Sequence, residues 1–258
     1  MKNILLDRRK LRDAEQRTKM LQESERLGKI LIDSVSHEMR TPISVITSAA
    51  GMLKEAHDPS ITKVPWAMVD EIQEATRRLN RLVSNLLNST RLESGHVKPN
   101  LDWCDVEDII RGTLKEIERD LAGRKITPAI AKSIPLVWLD FVLMEQVLTN
   151  LLLNAVVHTP PGTSVQVRAS AQMGMLTISV LDDGPGLPRH ALPFIFDKFY
   201  RAPSARAGGT GLGLAIVKGL VEAQGGRAEV ANRPEGGAAF HIRLPIPQPP
   251  PVPSEASD

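Results

Sequence analysis

Aromatic residues are scarce in this chain: three tryptophans, five phenylalanines and one tyrosine make up 3% of 258 residues. Its cores must therefore be aliphatic. Cys104 is the single cysteine, which excludes an internal disulfide or a cysteine-rich metal site and suits a reducing compartment. A charge bias is also missing. Thirty-two Lys and Arg against 30 Asp and Glu leave a formal net charge of +2, which makes no case for nucleic acid or an acidic membrane surface as partner. No apolar run approaches the ~20 residues of a membrane span. The opening MKNILLDRRK turns to charge too soon for a signal peptide. The chain is expected to be soluble and cytoplasmic, either by itself or as the cytoplasmic end of a longer membrane protein. What remains is an ordinary globular composition, long enough for one large domain or two small ones.

Residues 1–32 are charged, lack proline and carry spaced apolar positions, which predicts a long helix with a partial coiled-coil pattern. The helical period continues through Val35, Met39, Ile43, Ile46 and Ala50 to about Lys54. EAHDPSITKVP then reads as a loop, and a second amphipathic helix follows from Trp66 to Glu93, with Gly95 as its stop signal. An α hairpin of this kind buries its apolar stripe by pairing with a second copy, giving a dimeric four-helix bundle. From about Val97 the pattern becomes α+β. HVKPNLDW and KITPAIA read as strands around a helix over Val106–Leu121, and FVLMEQVLTNLLLNAVVH is a strongly apolar helix. SVQVRASA and MLTISVLDD alternate as a hairpin about Gly174. GLGLAIVKGLVEAQGG is a helix closed by glycines, and RAEVAN and AAFHIRLP are final strands. The helices are expected on one face of the sheet. The expected divisions are a linker helix at 1–32, a dimerising hairpin at 33–95, an α+β domain at 96–246 and a proline-rich tail at 247–258.

Polar residues interrupt this pattern at particular places. DSVSHEMRTPIS puts His37, Glu38, Thr41 and Pro42 on a helix with apolar periodicity on both sides. Asn150, Asn154 and His158 recur at i, i+4 and i+8 and so share one helix face. Two carboxamides on a core helix are costly unless satisfied, either by nearby loops or by a hydrated Mg²⁺ with attached phosphates. DDGPG places Asp182 at a strand end, where it can accept a bond from an amino group such as that of adenine, with Gly184 and Gly186 turning the backbone. GGTGLGL, with Gly209, Gly211, Leu212 and Gly213, enters a helix whose free N–H groups can cradle phosphate. Between them IFDKFYRAPSARAGG supplies Lys198, Arg201 and Arg206 in a segment poor in regular structure, suited to closing over a nucleotide. Each motif alone has a plain reading as turn, cap or charged surface loop.

Their order and combination resemble the sensor histidine kinases of two-component systems over about residues 25–245, and most of all the potassium-responsive Kdp-type kinases, through NRPEGGAAFHIRLP and ESERLGKILIDSVSHE. The resemblance makes SHEMRTP the phosphoacceptor box, NLLLNAVVHT the N box, DDGPG and GTGLGL the G1 and G2 boxes, and FDKFYR the F box. It implies a Bergerat-type (GHKL) α+β sandwich that uses ATP and Mg²⁺, with the metal on Asn154. Asn150, His158, Asp182, Gly184, Gly186, Lys198, Arg201, Gly209, Gly211, Leu212 and Gly213 would line the nucleotide. His37 would take the phosphoryl group, a role that suits a neutral, exposed imidazole. Glu38 would raise its nucleophilicity, although adjacent residues do not face each other on a straight helix. Pro42 favours a bend there, because it cannot donate to the Glu38 carbonyl. Thr41 would orient water for removing phosphate from the partner. That partner would be an aspartate of a separate response regulator, approached by a homodimer.

Two positions depart from the family pattern. Val157 stands where a lysine commonly follows the second asparagine by three residues, and Asp183 stands where Asn is common. The first removes a phosphate contact, and the second adds negative charge near the nucleotide. Two other readings are an ATPase of the gyrase and chaperone kind, which would lack the His-box hairpin, and a nucleotide-binding scaffold that acts by protein contacts alone.

Overall fold

The computed structural model describes residues 35–54, 66–121, 123–202 and 210–247. The expected linker helix, the loop at 55–65, Arg206, Gly209 and the tail from 248 lie outside the described residues. The chain divides into two compact units, with the boundary inside the second helix between Leu86 and Leu87. In the first unit, α1 covers residues 35–54 without interruption at Pro42. The second helix, α2, spans Trp66–Glu93, the bounds expected from its periodicity. Ala49 and Ala75 are buried, whereas Ile43, Met52, Trp66, Val83 and Leu87 remain more than a third exposed. Glu74 gathers Arg77 at 2.9 Å and Arg78 at 3.0 Å on one side of α2.

The second unit is built around a five-stranded sheet. In chain order the elements are β1 (Asp102–Cys104), α3 (Val106–Glu116), β2 (Ile126–Ile130), β3 (Val137–Leu139), α4 (Phe141–His158), β4 (Val165–Gln172), β5 (Met175–Asp182), α5 (Gly213–Ala223), β6 (Arg227–Asn232) and β7 (Ala238–Pro245). The main sheet has the order β2-β4-β5-β7-β6. Only β2 pairs in parallel, with β4, and the other neighbours are antiparallel. The β4–β5 hairpin turns at Met173 and Gly174, both with positive φ. Strand β3 was not expected from the sequence. It pairs with β1 in a separate two-stranded sheet, where Trp103 and Trp138 stand opposite each other with ring centroids 5.2 Å apart. Helix α3 is a turn shorter than expected, because the chain leaves helical geometry at Ile117.

Period-two alternation gives the sheet one apolar face: Leu176, Ile178 and Val180 of β5 and Phe240, Ile242 and Leu244 of β7 are all buried. Against it lie Met144, Val147, Leu148, Leu151, Leu152 and Ala155 of α4 and Ile216, Val217, Leu220 and Val221 of α5. Each such side chain larger than alanine contributes about 1.5–3 kcal/mol by leaving water. By length and composition α4 could cross a membrane, the one such helix among the described residues; here it is the central core helix. Asp140 starts it, accepting from the Leu143 N–H at 3.0 Å and the Asn100 N–H at 2.7 Å, while Gln224 at the end of α5 accepts from the Asp140 N–H at 2.8 Å.

The opposite face of the sheet carries a polar row. Ser179, His241 and Glu229 stand in register on β5, β7 and β6. Ser179 Oγ and His241 Nδ1 are hydrogen-bonded at 2.8 Å. Burial pushes the His241 imidazole below its usual range, Arg243 adds to this, and Glu229 opposes it.

Candidate functional site

His37 and Thr41 sit one turn apart on α1 and are both exposed, whereas Glu38 is half-buried and Pro42 is buried. The histidine is thus presented to solvent, as a group that must be reached from outside requires. The Thr41 hydroxyl donates back to the His37 carbonyl at 3.5 Å, a long bond that leaves it readily recruited by another acceptor. The missing N–H of Pro42 deprives the Glu38 carbonyl of its helical donor next to the histidine.

In the second unit, one end of the sheet is shaped around Asp182. Its side chain is buried, and Oδ1 accepts from the Gly184 N–H at 2.9 Å and the Ala238 N–H at 3.2 Å. Oδ2 has no protein partner among the described residues, so one oxygen is fixed by main chain and the other is left to accept. Gly184 is required there: a Cβ would lie 2.8 Å from Thr159 Cγ2 and 2.9 Å from Asp182 Oδ1. The carboxylate of Asp183 does not face the same way. Its Oδ1 accepts from the Ser164 N–H at 2.7 Å, so the extra charge noted in the sequence is engaged in closing the β4–β5 end.

Helix α4 carries the two asparagines. Asn150 and Asn154 are half-buried, and His158 is exposed at the last residue of the helix. Asn150 Nδ2 is buried and has no acceptor among the described residues. Such an orphaned donor costs about 1–3 kcal/mol, which a phosphate or water oxygen would recover. A Cβ on Gly213 at the start of α5 would be 4.0 Å from Asn150 Oδ1, so the asparagine faces the opening of that helix. Val157, at the position where a lysine is common, is 44% exposed, and an amine there would have been in solvent.

The C-terminal end of α4 is held by a residue that sequence reasoning missed. Arg124 donates from Nη2 to the carbonyls of Val156 at 2.8 Å and Thr159 at 2.9 Å. From Nη1 it donates to Thr159 Oγ1 at 2.8 Å and the Pro160 carbonyl at 2.6 Å. A forked cation thus occupies the negative end of the helix dipole. Nothing in GRKITP marks it, because its partners lie 32 to 36 residues away.

The glycine-rich entry to α5 is pinned to the preceding segment. Phe199 has φ +64° and its N–H donates to the Gly211 carbonyl at 3.0 Å. Gly211 itself has φ +70°, and a Cβ there would strike the Phe199 main chain at 2.8 Å. Leu212 is fully buried and starts α5, whose first N–H groups have no intrahelical acceptor. Lys198 Nζ lies 2.8 Å from Glu93 Oε1 at the end of α2. Arg201 is exposed, and Gly186 adopts φ +74° beside Asn232. Asp182 and Gly184 therefore meet Thr159 just after α4, and Asn150 faces Gly213 at the start of α5, with Asn154 and His158 one and two turns further along α4. The described residues contain no cluster of three or more His, Cys, Asp or Glu able to hold a metal ion, so a cation here would rely on carboxamide, phosphate and water oxygens.

Comparison with known proteins gives two family matches in chain order. Residues 29–95 match the His Kinase A (phospho-acceptor) domain, and residues 140–248 match the histidine kinase-, DNA gyrase B-, and HSP90-like ATPase family. Among curated proteins, the sensor protein KdpD of Clostridium acetobutylicum is 33% identical over 245 residues, covering 94% of this chain and 27% of that protein. The Escherichia coli protein of the same name is 35% identical over 242 residues, covering 93% of this chain and 27% of its own. The chain thus spans about a quarter of the length of these relatives. Among solved structures, the mycobacterial sensor histidine kinase MprB is 32% identical with a TM-score of 0.52, covering 56% of this chain and 98% of that one. Full-length ShkA in complex with AMPPNP is 27% identical with a TM-score of 0.61, covering 86% of this chain and 46% of that one.

Proposed function

The chain belongs to the sensor histidine kinases, and from that premise we propose that it transfers the γ-phosphoryl group of ATP to His37 and passes it to an aspartate of a response regulator. The observation that carries this reading is that one unit holds an exposed His37 while the other holds a half-buried Asn150, whose buried Nδ2 has no acceptor among the described residues, and a buried Asp182. Phosphoryl transfer needs positioning and charge stabilisation more than covalent chemistry from the protein. Asp182 Oδ2 would accept from the amino group of adenine. Asn150 would donate to a phosphate oxygen, and the N–H groups opening α5 would face the phosphate chain. Mg²⁺ would be held through Asn154 together with phosphate and water oxygens, and would supply charge neutralisation.

In its neutral form His37 can attack with one ring nitrogen while the other keeps its proton, and the half-buried Glu38 is the acceptor in this reading that holds that proton in place. Thr41 sits on the same helix face and would position water for the reverse duty, removal of phosphate from the regulator. The exposed apolar side chains of α1 and α2 suit a second copy of this chain, giving a four-helix bundle. The chain would act in the cytoplasm as the kinase core of a longer sensor.

The test is a pulse and chase. Chain labelled with γ-phosphate is mixed with an isolated receiver domain, and label is expected to leave the chain and appear on the receiver as an alkali-labile acyl phosphate. Label that stays on the chain with every receiver tried, or a chain that takes no label while binding ATP, would refute the proposal. Sedimentation of the same sample checks the dimer.

A further inference from the structure

The hairpin between β6 and β7 holds none of the residues assigned above, yet it makes the tightest contacts to Asp182. Ladder pairing between β5 and β7 ends at Leu181 and Ala239. Beyond that pair Gly236 and Gly237 turn the chain away with φ of +99° and +90°, and a Cβ on Gly237 would overlap the Asp182 carbonyl oxygen. Arg233 fills the place a further ladder donor would have taken. Its Nη1 donates to the Asp182 carbonyl at 2.7 Å. Its approach to Glu235 is much looser, at 3.9 Å, so its short contact is the one with the carbonyl. Asn232 ties down the adjoining turn in the same manner, accepting from the Leu187 N–H at 2.8 Å and donating to the Leu187 carbonyl at 2.7 Å.

We propose that Arg233, supported by Asn232, is a positioning residue for the base of the bound nucleotide. The guanidinium fixes the peptide that follows β5, so the Asp182 carboxylate cannot swing. With Oδ1 committed to two main-chain N–H groups, Oδ2 is presented at one height and angle to the amino group of adenine. Loss of the guanidinium would leave the carboxylate in place but poorly aimed. Recognition of the base would suffer before the fold does. The inference rests on the reading of this end of the sheet as an ATP site.

The experiment is calorimetric titration of the full chain with ATP and with inosine triphosphate, each with Mg²⁺. Inosine carries an oxo group where adenine carries the amino group and an N–H where adenine has the bare N1, so the ratio of the two affinities reads the edge of the base that Asp182 would face. Arg233→Ala is expected to reduce the preference for ATP by roughly tenfold, the scale of one hydrogen bond to a charged group. Arg233→Lys, which keeps a single charged donor, restores part of the preference. Should the alanine variant fail to fold, Arg233→Met keeps the apolar stem and takes its place. Equal weakening of both nucleotides would show a merely structural brace and overturn the proposal, as would an unchanged ratio. A wild-type chain with no preference for ATP would overturn the reading of Asp182 and this inference with it. A wild-type preference untouched by Arg233→Ala would overturn this inference alone.

Discussion

Replacing Arg124 by alanine removes four hydrogen bonds and one cation from the end of α4 in a single step. Of the four acceptors, the Val156 carbonyl lies in the last turn of the helix and the two Thr159 groups at its C-cap, where no main-chain donor of the helix can replace the guanidinium. The bonds are not additive, since the Pro160 carbonyl is exposed and water can serve it. The part-buried carbonyls of Val156 and Thr159 have less recourse, and the loss is set at about 2–4 kcal/mol, the cost of stranding one or two such groups. For a unit of this size that corresponds to a fall in Tm of roughly 5–10 °C. The assay is thermal unfolding of the full chain followed by circular dichroism. Arg124→Lys should recover only part of the loss, because an ammonium cannot bridge two rows of acceptors as a planar fork does. A weaker Kd for ATP should accompany the fall, since Asn154 lies just before the loosened turn. A drop in Tm below about 1 °C in the alanine variant would refute the view that this arginine secures the helix end.

Asn150→Leu should raise Tm by roughly 2–6 °C while abolishing ATP binding, because an apolar side chain of similar size removes the orphaned donor at about 1–2 kcal/mol gain; differential scanning with and without nucleotide reads both. Gly211→Ala should destabilise by about 2–3 kcal/mol, from a left-handed φ together with the clash on the Phe199 main chain, as read by denaturant unfolding. His241 is held below its usual imidazole range when folded, so the unfolded chain binds more protons as pH falls. Stability is then full above the unfolded imidazole pKa and declines on acidification through the folded one. Melting curves between pH 8 and pH 5 should show this slope, and His241→Gln should flatten it.

The parts of the fold that were legible are those with a local, periodic signal. Helix α2 ran from Trp66 to Glu93 and α4 from Phe141 to His158 as read from spacing and flanking residues, and the β4–β5 hairpin followed from strict alternation around Gly174. Strand β3 was missed because three residues carry no period and its partner β1 lies far away in sequence. The end of α3 was overrun because Ile117 and Leu121 keep the apolar spacing after the helix has become a series of turns.

The candidate site divides in the same way. Asn150, Asp182, Gly184 and Gly213 were read from motifs, and the structure sets Asp182 against Gly184 and Asn150 toward Gly213. Arg124 and Arg233 act on carbonyls more than 30 residues distant, and a lone arginine leaves no pattern that names its acceptor. Lys198 was read as closing over a nucleotide from its place in an irregular segment and the resemblance of FDKFYR to the F box. Its actual carboxylate, Glu93, is 105 residues away. Asp183 was read as added charge because it stands where the family commonly has Asn, and its bond to the Ser164 N–H shows a closing role that only the folded chain displays.

The most direct measurement of the central claim is transfer of label from γ-labelled ATP with Mg²⁺ to the full chain, comparing wild type with His37→Gln. The account predicts label that survives alkali, is lost in acid, maps to the peptide containing His37 and is absent from the variant. Label of the same stability persisting in His37→Gln, or no label on a wild-type chain that binds ATP, would contradict it.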